Sequence, residues 1–153
     1  ELGDLTAPTG VPGSARRAGE ADVALLGRWR REFTAEAYDD WRDPVSGEES
    51  ALRSLLLGAG EILWTVDREP VSLASARPVV AGMCRIGPVY TPPEHRRHGY
   101  AAAVTAAASR WALDAGAASV VLFTDLANPT ANALYPRIGY RPVGDTVDLG
   151  LLR

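Results

Sequence analysis

The chain contains no lysine: all 16 of its basic residues are arginine. With the abundance of alanine, this fits a high-GC genome better than any demand of function, and it leaves the chain without a side-chain ammonium group. There is one cysteine, Cys84, which excludes an intrachain disulfide; set among apolar residues, it reads as a small buried hydrophobe and not as a nucleophile. The only two histidines are His95 and His98. Even with Glu94 beside them they cannot supply the three or four converging ligands of a metal site, so no metal is expected. No apolar run approaches the roughly 20 residues that cross a bilayer, so no membrane role is expected. A net charge of -3 provides no general field to draw in nucleic acid. The start, Glu1-Leu2-Gly3-Asp4, is acidic with no apolar stretch after it, unlike a secretory signal, and the cytoplasm is the expected compartment.

What remains is an ordinary globular composition, 46% hydrophobic and 23% charged over 153 residues, enough for one domain with a core of its own. The Pro/Gly/Thr-rich stretch from Leu5 to Gly13 marks residues 1–13 as a leader or linker, and 14–153 as the domain. Ser14 to Ala18 reads as a short strand. From Glu20 to Ala37 the residues Leu25, Leu26, Trp29, Phe33 and Ala37 recur at helical spacing. Ser46-Gly47-Glu48-Glu49 has the form of a capping box for a second helix through Leu57, ended by Gly58 and Gly60. Trp29, Phe33, Tyr38 and Trp41 are read as core and rim packing.

Three strand-like runs follow, Ile62 to Val66, Val71 to Ala76 and Met83 to Tyr90, joined as an antiparallel meander. Gly99 opens an Ala-rich helix whose Val104, Ala108, Trp111 and Ala115 share a face, with Gly116 as its stop. Val120 to Thr124 reads as a strand buried on both sides. Asn128-Pro129 then gives an N-cap and a first-turn proline for a helix to Ile138 with Gly139 as its stop. Tyr140 to Leu152 closes the chain as one or two strands, broken near Gly144. The order β-α-α-β-β-β-α-β-α-β is that of an α+β or mixed α/β domain with a helix-covered sheet.

The stretch Val89-Tyr90-Thr91-Pro92-Pro93-Glu94-His95-Arg96-Arg97-His98-Gly99-Tyr100-Ala101 runs from a strand through a basic loop into a helix. Such a junction offers unpaired N–H groups at the positive end of a helix dipole, a site for phosphate oxygens. Gly99 and Ala101 allow close backbone approach, and Arg96, Arg97 and His98 add charge.

Arg96-x-x-Gly99-x-Ala101 resembles the Gln/Arg-x-x-Gly-x-Gly/Ala segment with which GCN5-related N-acetyltransferases hold the pyrophosphate of acetyl-CoA. About 30 residues on, Asn128 to Tyr140 resembles the second cofactor segment of that family, an Asn-led helix carrying Leu134-Tyr135 and ending in Gly139-Tyr140. The resemblance is specific from Met83 to Arg141. It implies the acyl-CoA N-acyltransferase fold, a central, mostly antiparallel sheet splayed between the Met83–Tyr90 and Val120–Thr124 strands, with acetyl-CoA in the gap.

By the same resemblance, Val89, Tyr90 and Thr91 pair with the pantetheine arm and one of their N–H groups meets the oxyanion. Arg96, Arg97, His98, Gly99, Tyr100 and Ala101 cradle the pyrophosphate; Asn128 and Asn132 meet the pantetheine or adenine side; Tyr135 protonates the departing thiolate. A phenol near pKa 10 facing a thiol near 8.5 makes that transfer close to balanced. The acceptor is a small-molecule or peptide amine, and a homodimer is expected from relatives. Three departures stand out: Arg97 replaces a usual glycine, Ala131 a small hydroxyl residue, and the Met83–Tyr90 strand carries no carboxylate to serve as base. Asp125 is a further candidate for that role, set against a plain turn residue. The missing base leaves two rival readings, a non-catalytic acyl-CoA-binding or sensory domain and the C-terminal half of a tandem acetyltransferase.

Overall fold

The computed structural model describes residues 1–37 and 47–146. The predicted helical face at the start of the chain forms α1, Val23–Ala37, which buries Leu26, Gly27 and Trp29. α2, Gly47–Leu56, crosses it closely, because neither helix carries a side chain at the crossing. A Cβ on Gly27 would lie 2.6 Å from Glu48, and one on Gly47 only 2.3 Å from the Gly27 carbonyl. Glu48 and Glu49 stand in the first turn of α2, where carboxylates suit the dipole; Ser46, the predicted cap, lies outside the described residues, as do Tyr38 and Trp41.

Five strands form one sheet in the order β1-β2-β3-β4-β5: Ser14–Arg17, Gly60–Val66, Glu69–Ala76, Met83–Tyr90 and Ser119–Leu122. The first four are antiparallel neighbours, and β5 joins β4 in parallel. The parallel ladder runs only from Met83↔Ser119 to Ile86↔Leu122. Beyond it β4 continues to Tyr90 on β3 alone, with Ala74↔Val89 and Leu73↔Tyr90 in register. The expected splay between these strands is therefore present.

β5 departs from expectation in two ways. It begins and ends earlier than the predicted Val120 to Thr124, and Phe123 and Thr124 are exposed. Within it only Val120 is fully buried, because among the described residues β5 is the last strand of the order.

Each face of the sheet has its own core. On one side Ile62, Ala74, Cys84, Ile86 and Val120 pack against α3, Tyr100–Asp114, through Val104, Ala108 and Ala112. On the other, Leu63, Leu73 and Tyr90 pack against Leu26, Trp29 and Ala51. Predicted face residue Ala115 instead ends α3 and is exposed, while Ala112 takes the buried position. Gly116 adopts the expected left-handed conformation, φ 91°. Cys84 is buried, and burial raises its thiol pKa.

α4 spans Pro129–Arg137. After it, Tyr140 makes a single bridge to Leu2 and residues 141–146 have no regular structure, so the predicted closing strand is absent among the described residues. The rest of that segment, 147–153, lies outside them.

The first residues dock on the domain. The Leu2 N–H donates to the Val120 carbonyl, Gly3 to Gly139, Thr6 to Ile138, and Arg141 to Glu1. At the far end of the segment the Trp64 indole donates to Pro12, 2.8 Å. A stretch with a linker's composition thus has several of its backbone groups bonded to the fold. No helix among the described residues is long and apolar enough to cross a membrane.

Candidate cofactor and catalytic site

The site begins where β4 loses β5. Residues Gly87 to Tyr90 keep β3 on one side and have no strand on the other among the described residues. Their end is tied down from β3: the Ser72 hydroxyl donates to the Tyr90 carbonyl at 3.1 Å and lies 2.7 Å from the Thr91 hydroxyl. Val89 is half-buried against the α3-side core. Tyr90 points the other way, its ring 6.2 Å from that of Trp29.

A 3-10 turn, Pro93–His95, then leads into the basic loop. Arg97 and Gly99 both take positive φ, 65° and 82°. The second is easy for glycine and strained for any side chain, and a Cβ there would come within 3.1 Å of Val11. The turn leaves the amides of His98 to Ala102 without an acceptor among the described residues, while Ala103 bonds back to Gly99. These donors stand at the start of a helix of 15 residues, where the dipole favours an anion.

The side chains of the loop are less available than its backbone. Arg96 is committed elsewhere: Nε donates to the Thr91 carbonyl at 2.9 Å, and Nη2 holds the Glu36 carboxylate on α1 at 2.7 Å. Tyr100 is buried. His98 is exposed and stacks on the Tyr100 ring at 5.3 Å. Arg97 is exposed, which leaves it and His98 as the loop's outward polar groups. What the loop offers an anion is thus chiefly main chain, with Arg96 bracing the loop against α1.

The second segment divides similarly. The Asn128 side chain caps α4 by accepting from the Ala131 N–H at 3.1 Å, as its place before a first-turn proline implied. Asn132, expected to meet the cofactor, is spent on the loop. It donates to the carbonyls of Asp125 and Leu126 and accepts from Thr124. Asp125 accepts from the Ala127 N–H, 2.9 Å, the turn role allowed for it.

Tyr135 packs on the same core as Val89, so α4 brings it to the side of the sheet on which β4 is unpaired. Its ring meets Tyr140 edge-on at 6.1 Å. The two phenols differ: Tyr140 lies 2.7 Å from the Ser109 hydroxyl and is buried, its pKa pushed up to about 12 mainly by that burial. The Tyr135 hydroxyl has no partner among the described residues, and burial raises its pKa too. Of the pair, Tyr135 alone has a proton free to give.

On the α1 side of Tyr90 a cleft of about 520 Å³ opens between Trp29, Glu32, Glu36, Tyr90, Pro93 and Glu94. Burial and then the adjacent Glu32 push the Tyr90 phenol up to about 12. Sequence reasoning missed Ser72, Glu36 and Val11 because each acts across a long stretch of chain. Nothing local distinguishes a serine on a strand or a glutamate on a helix face from its solvated neighbours.

A family model described as the acetyltransferase (GNAT) family matches residues 24–140. No curated protein shows significant similarity to the chain. Solved structures similar to it include AAC(6')-Iy in complex with a bisubstrate analogue, CoA-S-monomethyl-acetylneamine: 15% identity, 92% of this chain and 98% of that one covered, TM-score 0.74. A ribosomal-protein-alanine N-acetyltransferase from Brucella melitensis matches at 15% identity over 92% and 99%, with a TM-score of 0.71. A Trypanosoma brucei acetyltransferase matches at 16% over 90% and 99%, with a TM-score of 0.67. At such identities these likenesses establish a shared fold.

Proposed function

The chain belongs to the acetyltransferase (GNAT) family, and from that premise we propose how its residues carry acetyl from acetyl-CoA to an amine. Two structural relatives bear coenzyme A or an analogue of it, and the residues here fit the same group. The observation that carries the reading is the run of acceptor-free amides from His98 to Ala102 beside the unpaired half of β4. Those amides would hold the pyrophosphate, with Gly99 admitting close approach and Arg97 and His98 adding charge. Val89, Tyr90 and Thr91 would line the pantetheine arm, and Asn128 the neighbouring wall. Asn132 contributes by holding the loop before α4.

When bound, acetyl-CoA supplies a thioester activated toward direct attack by an amine. The protein's part is to align the two partners, to offer a β4 N–H where negative charge develops on the carbonyl oxygen, and to release a proton from Tyr135 to the leaving sulfur. Burial keeps that phenol protonated but also makes it a weaker acid, so the transfer is more uphill than for an ordinary tyrosine. The acidic cleft between α1 and Tyr90 supports an amine, cationic before it loses its proton, as the acceptor. Cytoplasmic location and a homodimer belong to the same reading; the dimer is supported by the exposed apolar side chains of Leu56, Leu57 and Phe123, and sedimentation would test it.

A second reading, a non-catalytic acyl-CoA sensor, draws on the absence of a carboxylate from β4. One experiment separates them. Calorimetry with coenzyme A measures binding, and thiol release from acetyl-CoA with a panel of aminoglycosides, polyamines and peptides measures turnover. Binding with turnover supports the enzyme, binding with none of the panel active supports the sensor, and no binding refutes both.

A further inference from the structure

A second pocket lies on the α1/α2 face, at the opposite end of β3 from Tyr90. Leu73 pairs with Tyr90, and Arg77 lies four residues further on, about 13 Å along the sheet at the usual strand rise. The pocket has a volume of about 270 Å³ and is walled by Arg30, Ser50, Arg53, Ser54, Leu57 and Arg77. Three guanidinium groups therefore line one small space, Arg30 nearly buried and Arg53 and Arg77 at its exposed rim.

The counter-charge inside is a single carboxylate. Glu61, fully buried, accepts from Arg30 Nη2 and the Ser54 hydroxyl on one oxygen and from the Ser75 hydroxyl on the other. Its hydrogen-bonding capacity is taken up by partners on three elements, and its single charge faces both Arg30 and Arg77. Among the described residues Arg53 meets Glu49 at a long 3.4 Å, with both side chains more than half exposed, a geometry that contributes little. Arg77 has no hydrogen-bonding or ion-pairing side-chain partner among the described residues. Partial burial and the charges of Arg30 and Arg85 lower its pKa against the opposing pull of Glu61. One donor is also stranded: Arg30 Nε is buried and lacks an acceptor among the described residues. The Ser50 hydroxyl accepts from Arg30 Nη1 at 3.0 Å, so its own proton is free to be donated.

We propose that this pocket binds a dianionic oxyanion, the phosphate group of a small ligand or free phosphate, held by Arg53 and Arg77 with Ser50 as a further donor. Planar guanidinium forks match such oxygens. Three guanidinium groups facing one buried carboxylate favour a doubly charged group over a monocarboxylate. The site is separate from the main-chain cradle at the start of α3, which would hold phosphates with amides.

The test is calorimetric titration of the whole chain with inorganic phosphate, and with acetate, at matched ionic strength, each with and without saturating coenzyme A. Arg53 and Arg77 are outside the core, so the double variant Arg53→Ala/Arg77→Ala retains the fold, which circular dichroism checks. Arg110→Ala, an exposed arginine on α3, is the control. The expected result is saturable 1:1 phosphate binding that persists with coenzyme A, is at least tenfold weaker in the double variant, is unchanged in the control, and exceeds acetate binding by tenfold. Phosphate binding that coenzyme A displaces and the double variant retains would assign it to the cradle and overturn the proposal. So would equal affinity for acetate, or no saturable binding.

Discussion

The two faces of the sheet are held by different physics. Toward α3 the contact is apolar and close: small side chains such as Ala108 and Ala112 bring the helix down, and Trp111 lies where a Cβ on Gly60 would be, 2.4 Å from its ring. Toward α1 and α2 the packing encloses a charge, with Arg30 and Glu61 meeting at 2.5 Å beside two serine hydroxyls. The apolar side also carries Val89, Tyr135 and the free start of α3, the parts proposed to hold acetyl-CoA, while the acidic cleft proposed for the amine opens on the other. The proposed cofactor contacts and the buried charge are thus divided between the faces, so a substitution on one should leave the other's property intact.

The sharpest break is Glu61→Gln. It leaves the Arg30 cation, 12% exposed, without its counter-charge, a loss of the kind that typically costs about 3–5 kcal/mol. Urea denaturation should show it, while the affinity of the folded protein for coenzyme A stays within about twofold. If the double change Arg30→Met/Glu61→Leu then recovers most of the stability, the pair is a matter of mutual compensation and not of net stabilisation.

On the other face, Tyr135→Phe keeps the ring against Tyr140 and removes one proton. Turnover should fall by about two decades, within the range for general acid catalysis, with melting temperature and cofactor affinity little changed. Single-turnover kinetics distinguishes a slow chemical step from slow product release; an unaltered chemical rate would make Tyr135 a packing residue.

Gly99→Val probes the cradle alone. The new side chain must adopt φ near 82° and meet Val11, which disturbs the amides that follow. Coenzyme A should bind at least about tenfold more weakly, about 1.4 kcal/mol, in a protein that calorimetry and circular dichroism show to be folded. Unchanged affinity would remove the pyrophosphate from this loop.

The smallest effect concerns the entry to α1. There Arg16 holds Asp22 at 2.7 Å, and this bond, with the Gly19 N–H, lowers the aspartate pKa against the opposing effect of burial. A folded-state pKa below the unfolded one stabilises the protein above the ordinary carboxylate range, near pH 4, and the contribution disappears as pH falls through the lowered value. With Arg16 42% exposed it amounts to below about 1 kcal/mol. Comparing Asp22→Asn with the parent, the stability difference present at pH 7 should shrink toward zero in strong acid; a difference independent of pH would mean that the carboxylate's charge plays no part.

The α1 periodicity, the glycine that stops α3, the Asn128-Pro129 start of α4 and the loop-to-helix junction at Gly99 were all legible in the sequence. Each is a local matter of apolar spacing, capping or backbone conformation, settled within a few residues. The ends of β5, the docking of residues 1–13 and the fates of Arg96 and Asn132 were not. Each depends on a partner far along the chain: Glu36 for Arg96, Val120 for Leu2, and for β5 its place at the end of the strand order. A motif specifies which residue types surround a cofactor's phosphates, but a guanidinium or amide side chain bonds to whatever the tertiary fold brings within reach. Only that fold decided that what the basic loop offers an anion is chiefly main chain, that Tyr135 rather than Tyr140 keeps a free hydroxyl, and that three arginines distant in sequence line one small pocket.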